Sequence, residues 1–323
     1  MESSKIERIS RTEILAGFPK LRALVVGDVC LDRWSRYDPQ QSEPSRETGI
    51  PRIGVVSTDS TPGAAGTVAN NLAALGSGHV AVLGVAGEDG FAWELDCALR
   101  ARGIDTASLL RSPALATFTY TKLLNIETGI EDLPRVDFIN TQPLPDELDE
   151  KLVSTLRRIA GDFDVILVSD QAETGGGVVT SRMRDALSGL EKLVWVDSRK
   201  RCELFRNVIL KPNREEAAAA SLRVCGRVDY SALRQHTRAK LLMITHGPEG
   251  AQVVDDSGET WVPTRTNENP VDICGAGDSF SAGAALALAV TGSAVEAARF
   301  GNLVASVTIM KKGTGTASPD ELI

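Results

Sequence analysis

The residues best suited to chemistry lie near the C-terminal end, in the stretch 271–290 with the sequence VDICGAGDSFSAGAALALAV. Gly275, Ala276 and Gly277 stand where a strand-like segment gives way to small apolar residues that predict a buried helix. A helix N-terminus carries unpaired N–H groups and a partial positive charge, and small side chains let an anion approach that backbone. The stretch therefore predicts a cradle for an oxyanion or a phosphate.

Asp278 follows this cradle directly, and a carboxylate beside a bound phosphate would repel it. The contradiction disappears if Asp278 is a general base that takes a proton from a hydroxyl attacking a phosphoryl group over the glycines. The alternative is structural, because an Asp in a first helical turn is common as a cap or dipole partner. From these residues alone, the catalytic and the structural interpretation are equally supported.

Two earlier segments place polar residues where a small ligand would bind. Asp32 comes shortly after the strand-like segment 22–27, and polar residues past the C-terminal end of a strand face the ligand crevice in doubly wound α/β sheets. A turn carboxylate is the alternative. The glycine-rich stretch 61–71 predicts a turn entering a helix, where a ligand can come close. Asn71 would hydrogen-bond inside the crevice or be an ordinary polar helix residue.

Asn213 and Glu216 follow another strand-like segment with N-x-x-E spacing, which puts them one helical turn apart on the same face. A carboxylate there can hold waters around a Mg²⁺ ion that bridges nucleotide phosphates. The spacing is also that of a capping box, with Asn213 as N-cap and Glu216 at the third helical position. Both roles can coexist.

An alternation of strand-like and helix-like segments must position these residues. It implies a mainly parallel sheet with helices on both faces, in a single domain over 1–323. Two polar segments with period-two alternation, about 37–61 and 115–140, predict a small antiparallel lid sheet that excludes water or serves as a dimerisation flap. Buried strands are predicted at 22–27, 80–85, 165–169, 193–196, 208–210 and 241–245, and a terminal hairpin at 251–262.

Composition limits the class of function. The 323 residues carry a net charge of −8 at pH 7, which argues against a general nucleic-acid surface or an anionic membrane surface. The five cysteines form no C-x-x-C pair and the three histidines show no metal-ligand spacing, which fits reduced thiols and argues against structural zinc. The N-terminus lacks the apolar core of a signal peptide. We expect a cytoplasmic protein with a small-molecule substrate.

The segment 272–283, DICGAGDSFSAG, resembles the C-terminal signature of the ribokinase/pfkB family of carbohydrate kinases, D-T-x-G-A-G-D-x-F-x-x-G. The resemblance implies a ribokinase-like α/β fold, with Asp278 as catalytic base and the backbone of Gly275, Ala276 and Gly277 as anion hole. It also implies ATP as phosphoryl donor, Mg²⁺ as metal, and a sugar or sugar phosphate as acceptor.

Further motifs in the expected order extend the resemblance over about 22–322. Thr245, Gly247 and Gly250 resemble the family's T-x-G-x-x-G turn beside the nucleotide, and Asn302 matches a position near the adenine. Asn213 and Glu216 resemble the Mg-phosphate motif, in which the glutamate acts on the metal through water. The implied sugar contacts are Asp32, Gly63, Thr67 and Asn71.

Within the family, the segment 25–33, VVGDVCLDR, resembles kinases that act on heptose 7-phosphate. The sequence departs from that group at two crevice positions. Thr67 stands where the group has Asn, which shortens a sugar contact, and Glu173 replaces the usual Lys. If that Lys helps to hold phosphate, the reversed charge disfavours an anionic substrate.

Two other functions compete with the sugar kinase. The first, a non-catalytic sugar- or nucleotide-binding regulator on the same fold, stays open. The oligomeric state is open too, and a homodimer formed through the lid is ordinary for the family. A hydrolase with Ser279 as nucleophile is disfavoured, because the triad would need a later histidine and none follows Ser279 in the chain.

Overall fold

The computed structural model describes residues 9–171, 176–265 and 267–323. Within these ranges the helices are α1 Arg11–Gly17, α2 Ala65–Ala74, α3 Gly90–Arg100, α4 Asp146–Ile159, α5 Ser181–Ser188, α6 Arg214–Cys225, α7 Tyr230–Thr237, α8 Ala276–Thr291 and α9 Ala294–Thr308. The strands are β1 Arg22–Gly27, β2 Val29–Tyr37, β3 Val55–Ala64, β4 His79–Gly87, β5 Leu109–Ser112, β6 Thr119–Asn125, β7 Val136–Phe138, β8 Val165–Asp170, β9 Leu193–Ser198, β10 Ile209–Leu210, β11 Leu241–Thr245, β12 Gly250–Asp255 and β13 Gly258–Pro263.

The large sheet has the strand order β13-β12-β11-β10-β9-β8-β1-β4-β5. All pairs from β11 to β5 are parallel, and β12 and β13 add an antiparallel hairpin at one edge. Successive residues of β1 face opposite layers: Val25 packs into a core with α2, α8 and α9, whereas Leu24 and Val26 pack into a core with α4 and α5. The predicted parallel sheet with helices on both faces is confirmed.

The second sheet has the order β3-β2-β6-β7. Its outer pairs, β2 with β3 and β6 with β7, are antiparallel, whereas β2 and β6 run parallel. This lid sheet starts earlier in the chain than predicted, because β2 begins at Val29, directly after β1. Asp32 therefore lies inside a strand, paired with Thr61 and Tyr120, and not in a turn after β1.

The glycine-rich stretch 61–71 also differs from its prediction. Gly63 is not in a turn but in β3, paired with Cys30, and the change of direction comes at Ala64, whose φ is 50° and ψ is −118°. The ladder to β2 extends the strand as far as Ala64, so α2 begins only at Ala65. Among the described residues, no helix combines the length and the apolar character needed to cross a membrane.

Candidate active site

Three adjoining cavities lie along the carboxyl ends of the parallel strands. The first, which we call the lid cavity, has a volume of about 470 Å³ and lies between the lid sheet and the start of α8. The second, the sheet cavity, has about 510 Å³ and is lined by residues that follow β9, β10 and β11. The third, the apolar cavity, has about 510 Å³ and lies between the β11–β12 turn and α9.

Asp278 lies where the lid cavity meets the sheet cavity. The two cavities share Gln171, Arg199, Gly275 and Asp278 as lining residues. The sheet cavity in turn shares Gly277 and other residues with the apolar cavity, so the three form one continuous crevice. A ligand in the lid cavity and a ligand in the sheet cavity would therefore both contact the Asp278 carboxylate.

The environment of Asp278 suits a proton acceptor that works near neutral pH. Burial raises its pKa to about 7, and the neighbouring Asp197 carboxylate adds to the increase, while Lys211 and Arg199 oppose it. Its Oδ1 also lies 3.5 Å from the Gln171 Nε2 donor. A general base with a pKa near the working pH is the most effective, so both the position and the pKa of Asp278 fit this role.

The predicted anion cradle begins at Gly275, a residue with a left-handed backbone conformation. Gly275 has φ 78° and ψ 5°, a conformation that glycine adopts without steric cost, and it starts α8. The N–H of Ala276 already donates to the carbonyl of Ile273 at 3.2 Å. Because the first-turn N–H groups of a helix lack intrahelical acceptors, those of Gly277 and Asp278 are the candidates for binding an oxyanion.

Lys211 adds a positive charge beside this cradle, and the sequence interpretation missed it. Its Nζ would lie 3.3 Å from a Cβ placed on Gly277, and it forms a buried ion pair with Asp197 Oδ2 at 2.5 Å. Burial alone would lower the pKa of Lys211, but the nearby carboxylates, with Asp197 first among them, together raise the net pKa, so the ammonium stays charged. Lys211 follows β10 and Asp197 is the last residue but one of β9, so a search for polar residues at the carboxyl ends of strands, as made for Asp32, would have found both.

Asn213 and Glu216 form the capping box that was the structural alternative. The Asn213 side chain accepts the N–H of Glu216 at 2.9 Å, and the Glu216 carboxylate accepts the N–H of Asn213 at 2.8 Å. Both residues nevertheless line the sheet cavity, and burial raises the pKa of Glu216. Asn213 and Glu216 therefore cap α6, and the Glu216 carboxylate still lines the sheet cavity.

The remaining nucleotide-side candidates also lie in this crevice. Thr245 and Gly247 line both the sheet cavity and the apolar cavity, and Gly250 lines the apolar cavity. Asn302 lines the apolar cavity from α9 and donates from Nδ2 to the Val262 carbonyl at 3.2 Å. The structure thus brings these four residues together, although they are distant in sequence.

The four sugar-side candidates have different positions. Asp32 and Thr67 line the lid cavity, and burial raises the pKa of Asp32 to about 6 against the opposing charges of Lys122 and Arg135. Asn71 lies one helical turn deeper in α2, fully buried, and donates to the Thr67 carbonyl at 2.9 Å. It lines none of the three cavities, contrary to the expected sugar contact. Glu173 lies outside the described residues.

Gly63 does not line the lid cavity, but the Asp32 side chain packs closely against its backbone. A Cβ at this position would lie 2.5 Å from Asp32 Oδ2 and 2.6 Å from Cys30 Sγ. The residue must therefore be a glycine for Asp32 to keep its position on β2.

We expect Gly63→Ala to displace the Asp32 carboxylate and to raise the KM for the sugar at least ~10-fold, with a stability loss of about 1–3 kcal/mol from overpacking. Steady-state kinetics and thermal unfolding measure the two effects. Gly161→Ala is the matched control, because a Cβ there meets no atom within 4 Å. An unchanged KM in Gly63→Ala would contradict the placement of Asp32 at the sugar.

The comparisons with known proteins concern the family and the fold. The sequence profile described as pfkB family carbohydrate kinase matches residues 24–321. The bifunctional protein HldE of Trichlorobacter lovleyi is 33% identical over 319 residues, which cover 94% of this chain and 62% of that protein. The chain therefore spans a little under two thirds of the length of this curated relative.

Two solved structures are similar to this fold. Phosphofructokinase-2 from Escherichia coli superimposes with a TM-score of 0.71 at 19% identity, covering 94% of this chain and 97% of that one. Arabidopsis thaliana ribokinase, solved with ribose and ATP, gives a TM-score of 0.62 at 17% identity, covering 94% and 95%. At these identities the similarity shows the fold, and the predicted ribokinase-like architecture is confirmed.

Proposed function

The chain belongs to the pfkB family of carbohydrate kinases, and from this premise we propose that it transfers the γ-phosphoryl group of ATP to a hydroxyl of a sugar phosphate. Heptose 7-phosphate is the favoured acceptor, because the segment 25–33 and the similarity to HldE both point to that group. The observation that carries the proposal is the position of Asp278 at the junction of two cavities, where acceptor and donor would meet.

In this proposal the acceptor lies in the lid cavity and Asp278 takes the proton of the reacting hydroxyl. The hydroxyl oxygen forms the new bond to the γ-phosphorus, and the bond from that phosphorus to the oxygen bridging to ADP breaks. The first-turn N–H groups of α8 and the Lys211 ammonium lie where they would stabilise the negative charge on the transferring group. The proton is thus accepted by Asp278, and the negative charge is stabilised by different groups, the N–H groups of α8 and the Lys211 ammonium.

The donor side offers two environments that suit the two halves of ATP. The apolar cavity, with Phe280, Ala305 and Ile309 in its walls, fits a purine, and Asn302 supplies a polar group there. The adjoining sheet cavity presents charged and backbone groups suited to phosphates. Mg²⁺, when bound, would neutralise phosphate charge, and the half-buried Glu216 carboxylate is the oxygen donor placed to hold it through water.

The test is ATP consumption, coupled to ADP release, with a panel of sugars and sugar phosphates: heptose 7-phosphate, ribose, fructose and fructose 6-phosphate. We expect turnover with heptose 7-phosphate. Turnover with a neutral sugar only would contradict a sugar phosphate as acceptor and would mean that Thr67 and Glu173 redefine the pocket. Nucleotide binding without turnover on any sugar would contradict the proposal and favour the non-catalytic regulator.

We expect kcat/KM to rise with pH through an apparent pKa of about 7, because only the carboxylate form of Asp278 can accept the proton. Below that pH the acid is protonated and the rate falls. The pH profile of kcat/KM measures this. Asp32 is the other lid-cavity carboxylate with a raised pKa, about 6, so Asp32→Asn is the control. The limb near pH 7 should persist in that variant, and its disappearance would assign the limb to Asp32.

A further inference from the structure

Two of the cations that line the lid cavity are already committed to carboxylates. Arg33 Nε lies 3.3 Å from a Glu94 oxygen. Arg135 binds Asp137 through two hydrogen bonds of 2.7 and 2.6 Å. Some of their N–H donors are therefore occupied by these carboxylates, although the charge of Arg135 still acts on Asp32. The four cations that line the cavity are Arg33, Lys122, Arg135 and Arg199.

The other two cations lie at different ends of the lid cavity. Arg199 belongs to the wall shared with the sheet cavity, beside Asp278. Lys122, on β6, has Glu131 as its ion-pair partner at 4.0 Å, the limit of such a contact. Its charge still acts inside the cavity, because it is the largest of the charges that lower the pKa of Asp32 against the effect of burial. Lys122 is thus the weakly paired cation at the end away from the sheet cavity.

That end opens into a further cavity of about 480 Å³, which we call the outer cavity. The residues common to the lid cavity and the outer cavity are Trp34, Lys122 and Thr314. In the described part of the chain, neither the Trp34 indole N–H nor the Thr314 hydroxyl has a hydrogen-bond partner. The boundary therefore combines one ammonium group with two further donors.

Two of the three carboxylates that line the outer cavity are bound by other groups, and the third, Glu131, is the partner of Lys122 itself at 4.0 Å. Asp59 pairs with Arg36 at 2.6 Å. Asp272 accepts the N–H of Cys274 at 2.9 Å and that of Gly313 at 3.1 Å. Their charge is therefore partly neutralised by groups that already bind them, which reduces the repulsion of an anion at Lys122.

We propose that Lys122, Thr314 and Trp34 bind the phosphate that the sugar already carries, at the boundary between the lid cavity and the outer cavity. The inference rests on the proposed function and assigns the residues that hold the phosphate of its acceptor, remote from the hydroxyl that faces Asp278. The two ends of the acceptor are then held by different walls, the phosphate by the lid and the reacting hydroxyl by α8. Lys122 is a specificity residue in this arrangement.

The test compares Lys122→Met with the wild type, using D-glycero-D-manno-heptose 7-phosphate and the same heptose without phosphate. We expect the variant to raise the KM for the phosphorylated sugar at least ~10-fold, because the methionine keeps the stem and removes the charge-assisted hydrogen bond. The kcat should change little, and the kcat/KM for the neutral heptose should be the same in the variant and the wild type. Equal losses on both sugars, or a wild type that does not discriminate between them, would overturn the proposal.

Lys192→Met is the matched control, because Lys192 donates a hydrogen bond at an exposed site and lines neither the lid cavity nor the outer cavity. Its KM values should stay at the wild-type level. If Lys122→Met fails to fold, Thr314→Val carries the test, with the same increase restricted to the phosphorylated sugar.

Binding without ATP separates this inference from the proposed function. Heptose 7-phosphate should raise the Tm of the wild type, and the increase should be lost in Lys122→Met even if no sugar is turned over. Turnover of heptose 7-phosphate together with an undiminished Tm increase in Lys122→Met would overturn the phosphate site and leave the kinase function intact.

Discussion

Asp278→Asn is expected to lower kcat at least ~10²-fold, while the protein still binds nucleotide. Asparagine has the shape of aspartate but cannot take the proton from the attacking hydroxyl. The sheet cavity and the apolar cavity keep their other lining groups, so the affinity for ADP should be retained. Steady-state turnover and calorimetric titration with ADP measure the two quantities. Retained turnover would contradict the role of Asp278 as base.

The same variant should gain stability at alkaline pH, which separates lost chemistry from lost folding. Burial raises the pKa of Asp278 from 3.8 to about 7, so between these values the folded state binds more protons than the unfolded state. Stability contributed by this group therefore falls as the pH rises through that window. Asparagine does not ionise, so at about pH 8 Asp278→Asn should have a Tm a few degrees above that of the wild type. A lower Tm would point to a structural role.

The second large effect is expected from Lys211→Met. Removal of the ammonium leaves Asp197 buried without its partner, which should cost about 3–5 kcal/mol of stability. It also removes the positive charge beside Gly277, and we expect kcat to fall by ~10²-fold for loss of charge stabilisation at the transferring group. Urea unfolding and turnover at saturating ATP measure the two losses.

The double variant Asp197→Asn with Lys211→Met distinguishes these two contributions. A neutral asparagine in place of Asp197 no longer needs the ammonium, so most of the stability should return, whereas the activity should not. Lys192→Met is the surface control, because Lys192 donates to the Gly161 carbonyl at an exposed site. Recovery of both stability and activity in the double variant would mean that Lys211 only supports the fold.

The parts of the fold that were predicted from sequence have strong local patterns. The parallel strands are buried on both faces and appear in the sequence as short apolar runs, so β11 was predicted with its observed bounds. The strand β2 was missed because two polar residues in its middle, Asp32 and Arg33, line the lid cavity and interrupt the apolar pattern. A strand that faces a ligand site lacks the regular alternation on which such a prediction depends.

The candidate site was predicted unevenly for a related reason. Residues in the Gly275–Asp278 motif are contiguous, so a short stretch specifies the helix start, the small side chains and the carboxylate together. Lys211 and Asp197 are in contact because β9 and β10 are neighbours in the sheet. The order of strands in a sheet cannot be predicted from local sequence. Asn71 was misplaced because its spacing of four from Thr67 carries it one turn deeper into α2.

The wall shared by the lid cavity and the sheet cavity also creates a competition between acceptors. Under the proposed function, water that fills the lid cavity in the absence of sugar would meet the same carboxylate and the same γ-phosphorus as a sugar hydroxyl. The base itself does not discriminate between water and a sugar hydroxyl. The rate of ATP hydrolysis without sugar then depends on how often a water molecule is oriented for attack on the γ-phosphorus. The rate of ATP loss without sugar, relative to the rate with sugar, thus becomes a measure of the fidelity of the enzyme.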